Sequence, residues 1–122
     1  MQLVTIYNLS QSDVLPVTVK YCASFLCRLR GLTFRRHLGS NQGLLLVQNH
    51  DSRIDSAIHM LGVWIDLAVV WINSAEEVVD VKLARRWHLI YVPKRPAQYV
   101  LEMAGECLPF YKVGDRVKIE RI

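Results

Sequence analysis

Apolar residues in this chain fall in short runs separated by polar turns, and most of the runs have the period of a strand. "LVTIYNL" at 3–9 and "VTVKYC" at 17–22 mix β-branched and aromatic residues around the turn cluster "SQSDVLP". Two such runs about a turn predict a strand pair. "LLLVQN" at 44–49 is a short continuous apolar run, as a buried strand would be. "EVVDVKLA" at 77–84 alternates, with Val79, Val81 and Leu83 on one side and Val78, Asp80 and Lys82 on the other. That is the pattern of a half-exposed antiparallel strand. "AQYVLEM" at 97–103 and "RVKIERI" at 116–122, the latter behind a "KVGD" turn, complete the set. One segment differs. In "SFLCRLRGL" the apolar Phe25, Leu26 and Leu29 have helical spacing, Ser24 suits an N-cap, and Gly31 can close the helix in the left-handed conformation.

The longest apolar run, "IHMLGVWIDLAVVWI" at 58–72, has no usable period because nearly every position is apolar. A membrane-spanning helix needs about 20 apolar residues, and this run is shorter and contains His59 and Asp66. Gly62 and the frequent valines and isoleucines predict two strands instead, at about 57–61 and 67–72. "NSAEE" then turns the chain into a hairpin with 77–84. Many short strands and one helix (about 24–30) predict a mainly β fold, an antiparallel sandwich or jelly-roll-like barrel. No repeat or linker divides the chain, so residues 1–122 are expected to form one domain.

Composition narrows the class. Of 122 residues, 52% are hydrophobic and 21% charged, which is globular rather than disordered. The amino terminus lacks the basic start and extended apolar region of a secretory signal, so a cytoplasmic location is expected. Three cysteines, at 22, 27 and 107, are odd in number and lack zinc-ligand spacing. Cys22 and Cys27 are therefore read as small buried hydrophobes. The net charge is +4, placed unevenly: no acid lies between Asp13 and Asp51, or from Lys82 to Arg95. A face on which these windows met would attract anions.

Phosphate loops, nucleophile elbows and metalloprotease helices are all missing. His37, His50, His59 and His88 have no ligand spacing, so no metal or cofactor is expected. His59 interrupts an apolar run and reads either as a proton donor or acceptor facing a pocket or as a hydrogen-bonded core histidine, the latter favoured. Asp66 fits a turn or an arginine partner. Glu102, behind "YVL", fits a buried partner for an arginine among 28–36. Trp71 reads as core, whereas Trp64 and Trp87, the latter beside Arg85 and Arg86, could line a groove.

In order along the chain, "RLRGLTFRRHL" (28–38), "GLLLV" (43–47), "DSAIHMLGV" (55–63), "VVWI" (69–72), "PAQYVLEM" (96–103) and "VGDRVKI" (113–119) resemble the bacterial and archaeal family called domain of unknown function 192. The resemblance covers about residues 17–119. It implies a mostly β fold of sandwich or jelly-roll type and carries no established activity. Family members usually have Phe-Pro-Leu-Asp or Phe-Pro-Ile-Asp where this chain has Ile65, Asp66, Leu67 and Ala68. The family's proline position is then Asp66 and its aspartate position Ala68, which argues against an enzyme built on that aspartate.

The first expectation is thus a binding or accessory module with a shallow apolar groove flanked by basic residues. The groove would comprise His59 and Trp64, with Arg28, Arg35, Trp87 and Glu102 nearby. Its partner would be an anionic small molecule, a polysaccharide or a protein, without membrane insertion. Alternatives are a hydrolase using His59 or Glu102, and nucleic-acid binding through the basic windows, which a charge of only +4 disfavours. A mean hydropathy of +0.17 leaves both a monomer and a homodimer open.

Overall fold

The computed structural model describes residues 2–24, 27–28, 31–32, 37–39 and 42–122. Among them, seven strands form one mixed sheet: β1 Leu3–Asn8, β2 Val17–Cys22, β3 Gly43–Ser52, β4 Leu67–Ile72, β5 Val78–Ala84, β6 Ala97–Ala104 and β7 Val117–Arg121. Their spatial order is β5-β4-β6-β3-β2-β1-β7. All neighbours are antiparallel except β2 and β3, which run parallel with Cys22 beside Leu46. A 3-10 turn at Gly105–Phe110 follows β6.

The expected mainly β class holds, and the sandwich-or-barrel alternative resolves into one curled sheet, a half-barrel. The edge strands β5 and β7 meet at one end only. There the Val78 N–H donates to Asp115 O (2.8 Å), the Gly114 N–H to Val78 O (2.9 Å) and the Val117 N–H to Glu76 O (2.9 Å). The join satisfies edge groups that would otherwise be free to pair with another chain. Beside it Asp115 is buried, accepting from Asn8 Nδ2 (2.9 Å), Gln11 Nε2 (2.7 Å) and the Lys112 N–H (2.9 Å). Burial alone would push its carboxyl up, but these donors outweigh that and hold it below the usual range.

Register explains the pattern that periodicity could not read. Val4, Ile6, Val17, Val19, Leu45, Val70 and Leu101 share the inner face and are all buried. On the central strands the outer face is buried too, because Arg28, Gly31, Leu32 and residues of 55–63 cover it. β4 is consequently buried at all six positions. Trp71, fully buried on its outer side, donates its indole N–H to Ser56 O at 2.7 Å and so fastens the covering loop. β5 departs from the expected half-exposed alternation: Val78, Val79 and Asp80 are all buried. Asp80 is satisfied by the N–H groups of Val81 (2.9 Å) and Lys94 (3.0 Å).

The expected strand at 57–61 is not formed. Ile58 makes a single isolated bridge to Tyr91, and residues 61–62 turn, with Gly62 at φ 76°. Of the expected helix at 24–30, positions 25, 26, 29 and 30 lie outside the described residues, but both ends behave as anticipated. Ser24 Oγ accepts the Cys27 N–H (3.2 Å), and Gly31, at φ 51°, donates its N–H to Cys27 O (2.9 Å).

Cys22 and Cys27 are not free thiols. They form a disulfide with Cα atoms 5.6 Å apart, while Cys107 remains a buried thiol. The cause is local: Cys22 ends β2 on the outer face, and the turn capped by Ser24 brings the chain back within disulfide reach. No helix among the described residues is long and apolar enough to cross a membrane.

Candidate functional site

The outer face of β3 and β6 supports a cavity of about 70 Å³, large enough for a few water molecules or a small organic group. Its floor includes Leu46 and Gln48 from β3, Leu67 from β4 and Glu102 from β6. Arg28, Gly31 and Leu32 cover one side, and Asp55, Ile58, His59, Met60 and Val63 form the other wall.

Glu102 is buried because β6 lies between β3 and β4, with Leu44 and Val69 as its cross-strand neighbours. Gly31 lies over its carboxyl, since a Cβ there would sit 3.7 Å from Oε1. Among the described residues no cation or side-chain donor pairs with this carboxylate. Burial, uncompensated, pushes its pKa up to about 7.

Of the arginines among 28–36 expected to pair with Glu102, Arg28 does not do so, and Arg30, Arg35 and Arg36 lie outside the described residues. Arg28 Nη1 donates to Gln48 Oε1 (2.7 Å) and to Val47 O (3.4 Å). Gln48 is four residues along β3 from Leu44, the partner of Glu102, a distance of about 13 Å at the usual strand rise. The guanidinium is thus held at the Gln48 position of the floor, while the carboxyl lies under Gly31. Arg28 Nε is buried and has no acceptor among the described residues. A buried donor left unmet costs roughly 1–3 kcal/mol.

Of the residues anticipated for a groove, Arg28, His59 and Glu102 share the cavity. His59 is solvent-exposed rather than a core histidine, because the strand expected to bury it is not formed. Trp64 and Trp87 do not line the cavity; they stack edge-on with ring centres 5.3 Å apart. Arg35 lies outside the described residues. Asp66 has the expected arginine partners, accepting the Arg86 N–H at 2.8 Å and standing 3.8 and 3.6 Å from the Arg85 and Arg86 side chains. Ala68, at the position where the family's aspartate is expected, is fully buried within β4. Gln48 escaped the sequence reading. Its only signal was a polar residue ending the run "LLLVQ" at an outer-face position.

The DUF192 family, described as "Uncharacterized ACR", matches residues 7–119. The chain belongs to this family. The match begins ten residues before the quoted motifs suggested. A UPF0127 protein of Thermococcus kodakarensis is 39% identical over 84 residues, covering 69% of this chain and 52% of that protein. A UPF0127 protein of Thermococcus gammatolerans gives the same identity over 53% of its length, so the match spans about half of each of these two relatives. A UPF0127 protein of Pyrococcus furiosus is 31% identical over 117 residues, 94% of this chain and 97% of that one. Among solved structures, a Sinorhizobium meliloti protein described as a candidate transcription regulator superposes with a TM-score of 0.82 at 22% identity, over 97% of this chain and 92% of its own. A protein of unknown function from Novosphingobium aromaticivorans gives 0.76 at 20%, over 95% and 83%. At these identities the two structures establish that the DUF192 fold is shared.

Proposed function

We propose that this DUF192 protein is a small binding module whose site is the cavity between Arg28 and Glu102, and that its ligand is a small organic anion. One observation carries the reading: Arg28, a permanent cation, lines the cavity and is paired with no carboxylate among the described residues. A ligand carboxylate would supply that counter-charge. Because Gln48 and Val47 O already hold the guanidinium, little side-chain entropy would be lost on binding. The cavity's size favours a ligand of few atoms among the expected partner classes. A polysaccharide or protein would reach it only through an acidic terminus passing the exposed His59.

The test is a thermal-shift and calorimetric titration of the whole chain with formate, acetate, lactate and malonate. Saturable stabilisation by one or more is expected in the wild type and in Lys20→Ala, and its loss in Arg28→Gln. No response to any of the four, or an equal response in Arg28→Gln, would refute the assignment.

A second reading has one observation in its favour. His59 and Glu102 border the same cavity, and a carboxyl near pH 7 is matched to acid–base work at neutrality. Hydrolysis of small esters by the wild type but not by Glu102→Gln would support a hydrolase; equal rates would dismiss it. The description of the S. meliloti neighbour as a regulator belongs to that protein.

A further inference from the structure

Residues 58–64 and 85–91 form a small tab outside the main sheet. Ile58 and Tyr91 exchange backbone hydrogen bonds (3.0 and 2.8 Å), the Met60 N–H donates to His88 O (3.1 Å), and the Trp87 N–H donates to Met60 O (3.0 Å). The tab carries Leu61, Trp64, Trp87, Leu89 and Ile90, all exposed, with Leu89 at 71%. Single exposed apolar residues are ordinary, but five on one short element make a patch of the kind that marks an interaction site.

Trp87 adds an independent observation. Its φ is +63°, a left-handed conformation that bulky side chains rarely adopt. The backbone bond to Met60 holds it there, with the ring half-exposed and edge-on to Trp64. Strain kept in the fold to present a tryptophan outward is characteristic of binding surfaces. Beside the rings, the Arg85 and Arg86 side chains are 70% and 64% exposed. Both share the single carboxylate of Asp66, so two positive charges face one negative charge. The patch is therefore apolar in the middle and cationic at its rim.

We propose that this tab is a docking surface for an acidic segment of a partner protein that carries apolar side chains. Leucine or phenylalanine side chains would cover the tryptophans and Leu89, and aspartates or glutamates would meet Arg85 and Arg86. Mixed apolar and acidic character is the complement of what the tab presents.

The experiment uses the whole chain and fluorescence polarisation of three labelled dodecapeptides. One alternates Glu and Asp with Leu and Phe, one replaces the acids with lysine, and one replaces Leu and Phe with serine. Binding by the first alone is expected, weakening as salt rises. Leu89→Ser should leave Tm unchanged, since that side chain is exposed, while weakening binding about tenfold or more. Trp87→Gly, which suits the left-handed backbone, should fold and lose binding. Equal binding of the lysine peptide, unchanged binding by both variants, or no binding of any peptide would overturn the proposal. So would association with phosphatidylserine vesicles in place of the peptide.

Discussion

Replacing Glu102 by glutamine is expected to remove a pH dependence of stability that the buried carboxyl imposes on the fold. Below pH 4.5 the group is protonated in both folded and unfolded chains and contributes nothing to the slope. Between 4.5 and about 7 it ionises in the unfolded chain but keeps its proton in the folded one. Unfolding then releases a proton, and stability falls as pH rises. Above about 7 both states are ionised and the penalty stays constant. Raising the pKa from 4.5 to about 7, at about 1.4 kcal/mol for each pH unit, sets the full penalty at about 3 kcal/mol. Glutamine has nearly the same shape and no charge at any of these pH values. Urea unfolding of wild type and Glu102→Gln from pH 4.5 to 8 should give curves that meet at the acid end and separate by up to about 3 kcal/mol at the alkaline end, with the variant more stable. Taking the difference cancels the other titrating groups, including Asp115, whose depressed pKa acts in the opposite sense. Parallel curves would refute the reasoning, because they would mean that Glu102 is already ionised and compensated in the folded chain.

Two further outcomes follow from local geometry. Gly43→Ala would place a Cβ 2.3 Å from the carbonyl oxygen of Glu102, so β3 and β6 must separate; a loss of about 3 kcal/mol or more is expected in urea unfolding, and an unchanged midpoint would contradict it. Reducing Cys22–Cys27 opens a very short loop and should cost about 2 kcal/mol. In the denatured, unreduced chain iodoacetamide should label Cys107 alone, and labelling of all three cysteines without reductant would disprove the bridge.

Much of the fold was legible along the chain. β2 and β4 occupy the expected residues 17–22 and 67–72, and β1, β3, β5, β6 and β7 differ from expectation by at most a few residues at their ends. Alternation and turn chemistry are local, so they survive without a partner strand in view. Ser24 and Gly31 likewise announced the two ends of the helical turn, because capping depends on the nearest backbone groups. The 57–61 segment misled because it is as apolar as a strand, yet Ile58 and Met60 are buried in the cavity wall rather than by pairing within the sheet, and Leu61 is exposed.

The candidate site was only half legible. Glu102 and Arg28 stood out as charges next to apolar runs, but their relation could not. Whether they pair depends on where the fold holds each side chain, and Arg28 is held by Gln48 and Val47 O. Trp64 and Trp87 were joined to the same groove because both are aromatic and close to basic residues. Tertiary structure assigns them to the tab, where their neighbours are each other.

The sequence by itself determined seven of the eight expected strands, the helical turn's caps and the mainly β class, since these rest on interactions within a few residues. The tertiary structure alone decided the curl that joins β5 to β7 at one end, the Cys22–Cys27 bridge and the burial of the Glu102 carboxyl. Each of those depends on which distant residues are brought within a few ångströms. A buried carboxyl has a perturbed pKa only because two strands far apart in sequence exclude water from both its sides.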